Sequence, residues 1–484
     1  MIPRLRGSDG VNWEQLLSTQ RYRTGKNVKS NGKSDLRSEF EKDYHRIIGS
    51  ASFRRLQDKT QVFPLDKSDF IRTRLTHSLE VSSFAKSLGQ NIGENILTYK
   101  KDPSFTVQMK EDICNVLQCA GLIHDIGNPP FGHFGEDAIR EWFRDHLHTL
   151  EYHGRSLDEI LTLQMREDLY HFEGNAQAFR LVTKLHYLVD DRGMNLTYAL
   201  LNTIVKYPVT SLDIEPKSRD IKSHKLGFYH ADEEIFREVE TATGTNGSRH
   251  PLTFILEAAD DIAYKTADIE DAFVKGFVSY AKLYRELQEM ETLYAQPRSS
   301  FRPAAKLKEL YGRAEDMHVE DPEEYAVKNW IVRVQGFLIN CATYGFTSNY
   351  DAIMNGTYPY DLFHGTFAER LMDLLGDLAF REVFATETIY RMEVSESVMI
   401  NYLMDRFIGA VIGYDDKEQE LGTIDRRLVS FISSNYKRSY HFHAQGKSEA
   451  EKLYLRLLLA TDYICGMTDS YARRLYQELT ASVY

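Results

Sequence analysis

The sequence predicts an all-α fold with at most a minor β-hairpin. Only 12 prolines occur in 484 residues, and long stretches repeat apolar residues with the period of an amphipathic helix. A run of alternating short strands, which a large sheet would need, is not found. Short Val/Thr stretches such as Val205–Leu212 favour a hairpin at most.

Four segments show the helical period most clearly. The first begins near residue 75 and places Leu79, Phe84, Leu88 and Ile92 on one apolar stripe. Residues at such spacings share a helical face that can pack on a core. The four predicted helical stretches are Leu75–Ile96, Ile113–Ile123, Leu252–Phe273 and Ala450–Leu479. Loops are expected at Gln296–Ala304, around two prolines, and at the polar stretch Thr241–Pro251.

Composition places the chain among ordinary globular proteins. Hydrophobic residues make up 42% and charged residues 27%, which excludes a disordered chain, a collagen and a coiled-coil rod. The length suits one large domain or two to three ordinary ones. Asp and Glu number 71 against 59 Lys and Arg, so the net charge is −12. That balance argues against wholesale coating of nucleic acid and leaves room for local basic patches.

The first 40 residues form a polar, basic segment. This predicted N-terminal arm is either a loop that orders on a phosphate-bearing ligand or a plain flexible tail. Its basic residues are Arg21, Arg23, Lys26, Lys29 and Lys33.

Cysteine usage and hydropathy predict a cytoplasmic protein with no membrane segment. Cys114, Cys119, Cys341 and Cys465 form no Cys-x-x-Cys pair, so we expect reduced core cysteines and no disulfide scaffold. The N-terminal residues MIPRLRGSDG lack the apolar run of a signal peptide. No stretch of about 18 apolar residues is present to span a bilayer.

A histidine and an aspartate stand side by side at the end of an apolar helix, at His124 and Asp125. Such a dipeptide alone is more often a surface pair or a cap than a metal site. His77 upstream and Asp260 downstream raise the odds, because Asp260 lies on an alanine-rich, otherwise apolar face and buried acids are costly unless paired or metal-bound. Two nitrogens and two carboxylates suit manganese, iron or magnesium.

Longer strings around these residues are similar to one family of HD-domain phosphohydrolases, the deoxyguanosine triphosphate triphosphohydrolases. The similarity extends from about residue 40 to about residue 280 and returns near residue 462. The strings that carry it are Arg54–Pro64, His124–Glu136, Phe172–Gln177, Ala259–Tyr264 and Asp462–Ala472.

The resemblance implies an HD-domain helical core at 41–290 and a helical C-terminal region at 291–484 that packs on the core and on neighbouring subunits. It implies an enzyme that splits a deoxynucleoside triphosphate, with a lean toward dGTP, into deoxynucleoside and inorganic triphosphate. Water attacks the α-phosphorus and the 5′-oxygen leaves. His77, His124, Asp125 and Asp260 would hold the divalent ion, Mn²⁺ or Mg²⁺.

His133 and Glu136 are implied as the catalytic pair, with His133 as proton donor or nucleophile aid and Glu136 orienting it. Their spacing of three residues places them on one helical face. The unperturbed pKa of histidine lies near operating pH, which suits that role. Taken without the surrounding string, His133 would more often be an ordinary loop histidine beside Phe131 and Phe134.

Several further residues match family positions around the nucleotide. Arg74 lies three residues before His77 and would reach the same charge. Asp260, Tyr264 and Asp268 form one stripe, whose ring can stack on deoxyribose; the alternative is an amphipathic helix with Asp261, Asp268 and Asp271 solvated. Arg54, Arg55 and Lys59 either serve phosphate or pair with acids. Asn175, Lys206, Tyr207 and Lys225 match triphosphate positions, and Gln57 matches a position near the sugar or base.

The resemblance also implies partners, namely a homo-oligomer, commonly a hexamer, and a single-stranded DNA activator. The segment 435–442 mixes aromatic and basic residues that suit base stacking, although a solvated helix end is the commoner meaning of such a mixture. Asn128 stands where animal relatives carry a further histidine, which favours the bacterial type. Two alternative functions stay open: an HD phosphohydrolase for cyclic or alarmone nucleotides, and a nucleic-acid-binding regulator with a vestigial site.

Overall fold

The computed structural model describes residues 11–22, 35–61, 72–186, 193–294 and 301–482, and these are overwhelmingly helical, which confirms the all-α prediction. The α-helices of the first half are α1 Trp13–Leu16, α2 Glu39–Ile48, α3 Ala51–Arg55, α4 Arg74–Asn95, α5 Val107–Ile123, α6 Gly132–His146, α7 Leu157–Ile160, α8 Leu163–Tyr170, α9 Gly174–Arg180, α10 Tyr198–Thr203, α11 Glu233–Thr243 and α12 Pro251–Val274. Those of the second half are α13 Tyr280–Leu293, α14 Pro303–Asp316, α15 Pro322–Ser348, α16 Tyr350–Met354, α17 Glu369–Ala379, α18 Glu387–Ile412, α19 Thr423–Phe431, α20 Ser434–His443, α21 Glu449–Cys465 and α22 Asp469–Leu479.

Short turns of other helical types occur between and at the ends of these helices. Single π-helical turns extend α4, α9 and α17 at Ile96–Lys100, Leu181–Leu185 and Phe380–Phe384. Turns of 3₁₀-helix occupy Leu56–Asp58, Ser211–Asp213, Ile221–Ser223 and His230–Asp232.

One small hairpin is the whole sheet content of the described residues. Strands β1 (Glu151–Tyr152) and β2 (Arg155–Ser156) pair antiparallel. The two turn residues, His153 and Gly154, both have positive φ, as a tight hairpin turn of this hand requires. The expected hairpin at 205–212 was wrong: that segment is irregular and then enters the 3₁₀ turn. Pro208 lacks the N–H that strand pairing needs.

The predicted helices begin and end at recognisable signals. Thr73 caps α4 with a capping box, and α12 begins on Pro251, a residue favoured in the first helical turn. Leu79 was misplaced on the apolar stripe, because its side chain is 50% exposed. The predicted C-terminal helix is two helices, α21 and α22, because the chain leaves the helix at Gly466 and Thr468 caps a new one.

The two predicted loops have different outcomes. The helix α11 continues to Thr243 and ends at Gly244 with positive φ, so the loop before α12 is shorter than expected. Residues 296–300 of the other predicted loop lie outside the described residues, and α14 begins inside the predicted span, at Pro303.

A single hydrophobic cluster contains Trp13, Leu117 and Leu458. It therefore joins the predicted N-terminal arm, the predicted core at 41–290 and the predicted C-terminal region. Arg21 of the basic arm is 6% exposed, and its guanidinium bonds to Asp43 at 2.5 Å and to Glu39. It therefore belongs to the folded core and not to a basic surface. The arm's other basic residues, Arg23, Lys26, Lys29 and Lys33, lie outside the described residues.

The four cysteines are buried and free, as expected of core thiols. Among the described helices, none is both long enough and apolar enough to cross a bilayer.

A buried ionic network ties α9 to the C-terminal helices. The Arg180 guanidinium donates to both carboxylate oxygens of Asp462 on α21 at 2.8 Å and lies 3.3 Å from Asp232. Lys184 lies 2.9 Å from Asp232. Because all of these side chains are at most 5% exposed, each charge depends on its partner for compensation.

Replacing Arg180 with leucine should therefore destabilise the protein severely. Asp462 would lose the cation that bonds both of its oxygens, and Asp232 would keep Lys184. Breaking one side of a buried pair costs about 3–5 kcal/mol. The midpoint of urea unfolding measures this change. The matched control is Arg391→Ala, which breaks an exposed pair with Glu387 and should change stability by less than about 1 kcal/mol. Equal effects of the two substitutions would contradict the assignment.

Candidate metal centre and active site

Close packing of α4 on α5 brings two of the predicted metal ligands together. A Cβ at Gly121 would lie 2.5 Å from the Cα of Ser82, so only glycine allows this approach of the two helices. His77 on α4 and His124 at the end of α5 consequently face each other, with ring centroids 5.3 Å apart. Both imidazoles are at least 97% buried.

The third ligand comes from α12, which packs against α4 and α5. Oδ1 of Asp260 lies 3.2 Å from Nε2 of His77 and 3.3 Å from Nε2 of His124. One ligand atom from each of these three residues fits within a cluster 4.8 Å across. The structure thus converges three of the four predicted ligands on one point from helices far apart in sequence.

The nitrogen and oxygen atoms of this cluster face one another as hydrogen-bond acceptors, an arrangement that suits a bound cation. Nδ1 of His124 lies 2.8 Å from the main-chain oxygen of Gly121, which can only accept, so this nitrogen carries the proton. In a neutral imidazole, Nε2 then holds a lone pair, and this lone pair faces the Asp260 carboxylate. Two acceptors opposed in a buried site need a proton or a metal ion between them.

The pKa of His124 reflects this environment. Burial acts to lower it, but the carboxylates of Asp125 and Asp260 outweigh burial and raise the pKa above its usual value. A shift in that direction shows that the cluster favours positive charge at Nε2.

Asp125, the fourth predicted ligand, lies beside the cluster. Its Oδ1 is 3.6 Å from Nε2 of His124, and its Oδ2 accepts a hydrogen bond from the Arg74 guanidinium. Burial opposes ionisation of Asp125, but His124 and then Arg74 lower its pKa below the usual range. Arg74 is 2% exposed, so the structure places this predicted phosphate ligand against a metal-site carboxylate.

Lys206 supplies a second cation to the same cluster. Its Nζ donates to Oδ2 of Asp260 at 2.8 Å. Burial acts to lower the pKa of Lys206, and the Asp260 carboxylate raises it well above its usual value. Arg74 and Lys206 therefore balance Asp125 and Asp260, so that a bound divalent ion would leave net positive charge for an anionic ligand.

His133 and Glu136 form the predicted pair at the start of α6. Nδ1 of His133 lies 3.2 Å from Oε2 of Glu136. The histidine side chain is 71% exposed and the glutamate side chain 2% exposed. The hydrogen bond to Glu136 raises the pKa of His133. Burial opposes ionisation of Glu136, but His133 lowers the pKa of Glu136 to about 2.

Two residues beside this pair were missed from the sequence. Arg140 lies one helical turn after Glu136 and donates to Glu136 at 3.3 Å and to Glu173 at 2.9 Å. Glu136 also accepts from the main-chain N–H of Gly174 at 2.9 Å. The i+4 spacing of Arg140 was a usable signal; the position of Glu173 depends on a tertiary contact.

Two predicted phosphate ligands contact Glu173, and a third, Tyr207, lies in a neighbouring segment. The amide nitrogen of Asn175 donates to Glu173 at 2.8 Å, and Nζ of Lys225 approaches Glu173 at 3.2 Å. Tyr207 follows Lys206 in the segment that pairs with the Lys225 loop through the bond from Gly227 N–H to the Val209 oxygen. Asn175 and Lys225 are thus linked to Glu136 through Glu173 and Arg140.

Tyr264 and Asp268 occupy the predicted stripe of α12. Asp268 is 2% exposed and burial raises its pKa well above the usual value. Asp271 is 7% exposed and pairs with Arg72, so the alternative of a solvated acidic face is wrong for these two residues. The Tyr264 ring is parallel to that of Phe384, with centroids 6.4 Å apart, a neighbour that the sequence did not suggest.

The remaining predicted residues have mixed outcomes. Gln57 is exposed in the turn after α3, and no contact places it at the cluster. Arg54 and Arg55 bond to Gly49 O and to the Ser52 and Tyr436 hydroxyls. Lys59 is buried and donates to two main-chain oxygens, so neither phosphate binding nor pairing with acids describes it. Residues 62–64 of the same string lie outside the described residues.

Comparison with known proteins identifies the family of this chain. A model of the HD domain matches residues 74–174, which include His77, His124 and Asp125. A deoxyguanosinetriphosphate triphosphohydrolase-like protein of Listeria innocua is 49% identical, and one of Pseudomonas aeruginosa 35%; each alignment covers 97% of this chain and 99% of the relative. The deoxyguanosinetriphosphate triphosphohydrolase of Yersinia enterocolitica is 32% identical over 98% and 99%. The chain therefore belongs to the deoxyguanosinetriphosphate triphosphohydrolase family of HD-domain proteins.

Removing a ligand should abolish metal binding while leaving the helices. We expect His124→Ala and Asp260→Ala to lose Mn²⁺ binding in calorimetry and to keep most of the far-ultraviolet dichroism. The control is Asp261→Ala, which removes the next carboxylate on α12, a residue outside the cluster. If both ligand variants bind Mn²⁺ like the control, the metal centre is not at this cluster.

Proposed function

We propose that this protein hydrolyses dGTP to deoxyguanosine and inorganic triphosphate, with activity on other deoxynucleoside triphosphates as a secondary property. The observation that carries the proposal is the convergence of His77, His124 and Asp260 on one point, in a chain whose relatives carry this activity in their names. The turn before His133 approaches the same cluster, because a Cβ at Gly132 would meet the guanidinium of Arg74, which is bonded to Asp125. The overall reaction adds one water: its oxygen bonds to the α-phosphorus, and the bond from that phosphorus to the 5′-oxygen breaks.

A divalent ion, Mn²⁺ or Mg²⁺, would be held by His77, His124, Asp125 and Asp260. When bound, such an ion polarises phosphoryl oxygens and lowers the pKa of coordinated water. The mixed nitrogen and oxygen donors favour Mn²⁺ over Mg²⁺, because Mg²⁺ prefers sites made of oxygen ligands alone. Arg74 and Lys206 compensate the ligand carboxylates, so a triphosphate meets a positively charged site.

His133 is the proposed proton donor to the leaving 5′-oxygen. Because Glu136 accepts from Nδ1, Nε2 is left to face the substrate. The raised pKa of His133 keeps a proton available near neutral pH. Arg140 donates to Glu136 and Glu173. It favours the ionised form of Glu136, whereas burial and the nearby Glu136 charge raise the pKa of Glu173 above its usual value. Asn175, Tyr207 and Lys225 are positioned to receive the triphosphate beyond this pair.

Tyr264 is proposed to contact the deoxyribose. It follows Asp260 by one helical turn, so its ring lies along α12 from the metal ligand, and Phe384 holds the ring from the other side. A ring in contact with C2′ leaves no room for a 2′-hydroxyl, which would favour deoxynucleotides over ribonucleotides. Gln57 stays a prediction for the sugar or base.

Product analysis tests the proposed function directly. Purified protein is incubated with each dNTP, each NTP and a cyclic nucleotide in Mn²⁺ or Mg²⁺, and products are separated by ion-exchange chromatography. We expect deoxyguanosine and inorganic triphosphate in equal amounts. Release of orthophosphate or pyrophosphate would instead indicate another HD phosphohydrolase, and absence of turnover in both metals would favour a regulator with a vestigial site.

His133→Ala should separate catalysis from metal binding. Loss of the proton donor should lower kcat by about 10²- to 10⁴-fold, the usual scale of general acid–base catalysis. Mn²⁺ affinity should not change, because His133 lies outside the ligand cluster. His146→Ala, at the far end of the same helix, is the matched control and should keep wild-type kcat. A His133→Ala enzyme without metal would show that the assigned role is mistaken.

Glu136→Gln should move the alkaline limb of the pH–rate profile. The Glu136 carboxylate raises the pKa of His133, so the protonated donor persists to higher pH in the wild type and is lost as pH rises through that value. Without the carboxylate charge, the limb should shift to lower pH. Profiles of kcat between pH 5 and 9 measure the shift. If the alkaline limb does not move, the group that titrates there is not His133.

We also propose that the protein is a cytoplasmic homo-oligomer, commonly a hexamer, that single-stranded DNA stimulates. Exposed apolar side chains on one face of α18, at Tyr390, Val394 and Val398, support association with other copies. The basic side chains that support DNA binding line a groove between α19 and α20, at Arg426, Lys437 and His441. The four buried, free cysteines fit a reducing compartment.

Segment 435–442 is partly core. Tyr436 and Tyr440 are buried, while Phe442 is 45% exposed. The two buried tyrosines are therefore not available for base stacking. The basic side chains of α20 are its better-supported contribution to DNA binding.

Single-stranded DNA should raise the rate of dGTP hydrolysis at low salt, and the effect should fall steeply as salt increases, because phosphate binding releases counterions. Arg426→Glu should weaken the stimulation, whereas Arg285→Glu, an exposed arginine on α13, should not. The measurement is the initial rate against oligonucleotide concentration at two salt concentrations. Unchanged rates at low salt would exclude the activator role.

A further inference from the structure

The C-terminal string Asp462–Ala472 resembles the family as closely as the HD strings do, yet the metal centre and catalytic pair do not use it. In the structure this string spans the break between α21 and α22 and lies against the loop that follows Asp125. Nζ of Lys59 joins the two, donating to the Asn128 oxygen at 2.5 Å and to the Cys465 oxygen at 2.7 Å. The loop is thus fixed to the C-terminal region at its first end.

Asp469 fixes the other end of the same loop. Its Oδ1 accepts the main-chain N–H of Phe131 at 3.0 Å, and its Oδ2 accepts the main-chain N–H of Thr60 at 2.8 Å. Asp469 is 1% exposed. One carboxylate therefore satisfies a main-chain N–H from each of two separate loops, buried at Phe131 and partly buried at Thr60. A buried N–H without a partner is costly.

The loop needs this support because its backbone is strained. Phe131 has φ 65° and the next residue, Gly132, has φ 62°. The left-handed region is rare for a non-glycine residue, and for an aromatic one it persists only where neighbours over-determine it. Helix α6 begins at Gly132, so His133 follows the strained residue by two positions.

The same turn is in contact with the metal site. A Cβ at Gly132 would lie 2.4 Å from the Arg74 guanidinium, which is bonded to Asp125. The N–H of Arg74 in turn donates to the main-chain oxygen of Lys59 at 2.9 Å, the residue before Thr60. The two loops that Asp469 holds therefore both meet Arg74, one at its main chain and the other at its guanidinium.

We propose that Asp469 is a positioning residue for His133: its carboxylate ties the strained Phe131 turn and the Thr60 loop together, and so fixes the start of α6 relative to the metal centre. This proposal deepens the proposed function and rests on it for its kinetic test. In the described part of the chain, the Asp469 carboxylate accepts hydrogen bonds from the main chain of Phe131 and Thr60 and from none of the proposed metal ligands. It acts through the backbone of the turn. The C-terminal region is thus part of the active-site framework.

The kinetic test uses Asp469→Asn in the full-length protein with Mn²⁺. The amide keeps the size of the side chain but offers one acceptor where two N–H groups require two. We expect kcat for dGTP to fall about 10²-fold, the scale of a small misplacement of a catalytic group, while KM and Mn²⁺ affinity stay within twofold. Glu449→Gln, which neutralises the exposed first-turn acid of α21, is the matched control and should keep wild-type kcat.

Hydrogen exchange gives a readout that is independent of activity. In the wild type the Phe131 amide should exchange as slowly as the amides of α5, although it lies in a loop. In Asp469→Asn, exchange over residues 129–133 should speed up while α5 stays protected. Failure of the wild type to hydrolyse any dNTP would remove the proposed function and leave this test standing.

Three outcomes would overturn the proposal. The first is a rapidly exchanging Phe131 amide in the wild type, which decides the matter even if Asp469→Asn fails to fold. The second is wild-type kcat in a folded Asp469→Asn protein. The third is loss of kcat together with loss of Mn²⁺ affinity and of α5 protection, which would show a general structural role.

Discussion

The site depends on one constraint: two hydrogen-bond acceptors, an imidazole nitrogen and a carboxylate, face each other at one buried point. Nε2 of His124 faces Asp260 because Nδ1 is committed to the Gly121 oxygen. Left alone, this arrangement costs free energy, since a lone pair and a carboxylate repel each other away from water. Packing of α4, α5 and α12 holds the groups in place, and a proton or a metal ion between them makes the arrangement favourable.

The charges around that point form two groups of ion pairs. Arg74 and Lys206 neutralise the ligand carboxylates directly. Arg140 and Lys225 do the same for Glu136 and Glu173 one step further out. Because each acid already has a cation, a bound metal adds positive charge that is not consumed internally, and a polyanionic substrate can use it. The net charge of −12 for the chain therefore says little about the site.

Local sequence patterns were sufficient to predict several helix ends and the spacing of site residues along a helix. Helix ends at Thr73 and Pro251 follow from capping chemistry, and the one-turn spacing of Asp260 and Tyr264 follows from helical geometry. The errors came where a local pattern competes with context. Val205–Leu212 looked strand-like although Pro208 prevents pairing, and Leu79 fits the helical period but faces solvent. Arg21 looked like part of a basic arm, yet it is buried against Asp43.

By itself, the sequence determined the helical class and supplied the four candidate ligands and the proposed catalytic pair, because residue type, spacing and family strings are local properties of the chain. Only the tertiary structure decided which groups meet: Arg74 with Asp125, Glu173 with Arg140, and Asp469 with the turn before His133. These contacts join residues between 33 and 338 positions apart, and no helical or strand period encodes them. They arise from how the helices pack, since each buried charge or N–H must find a partner within the folded core.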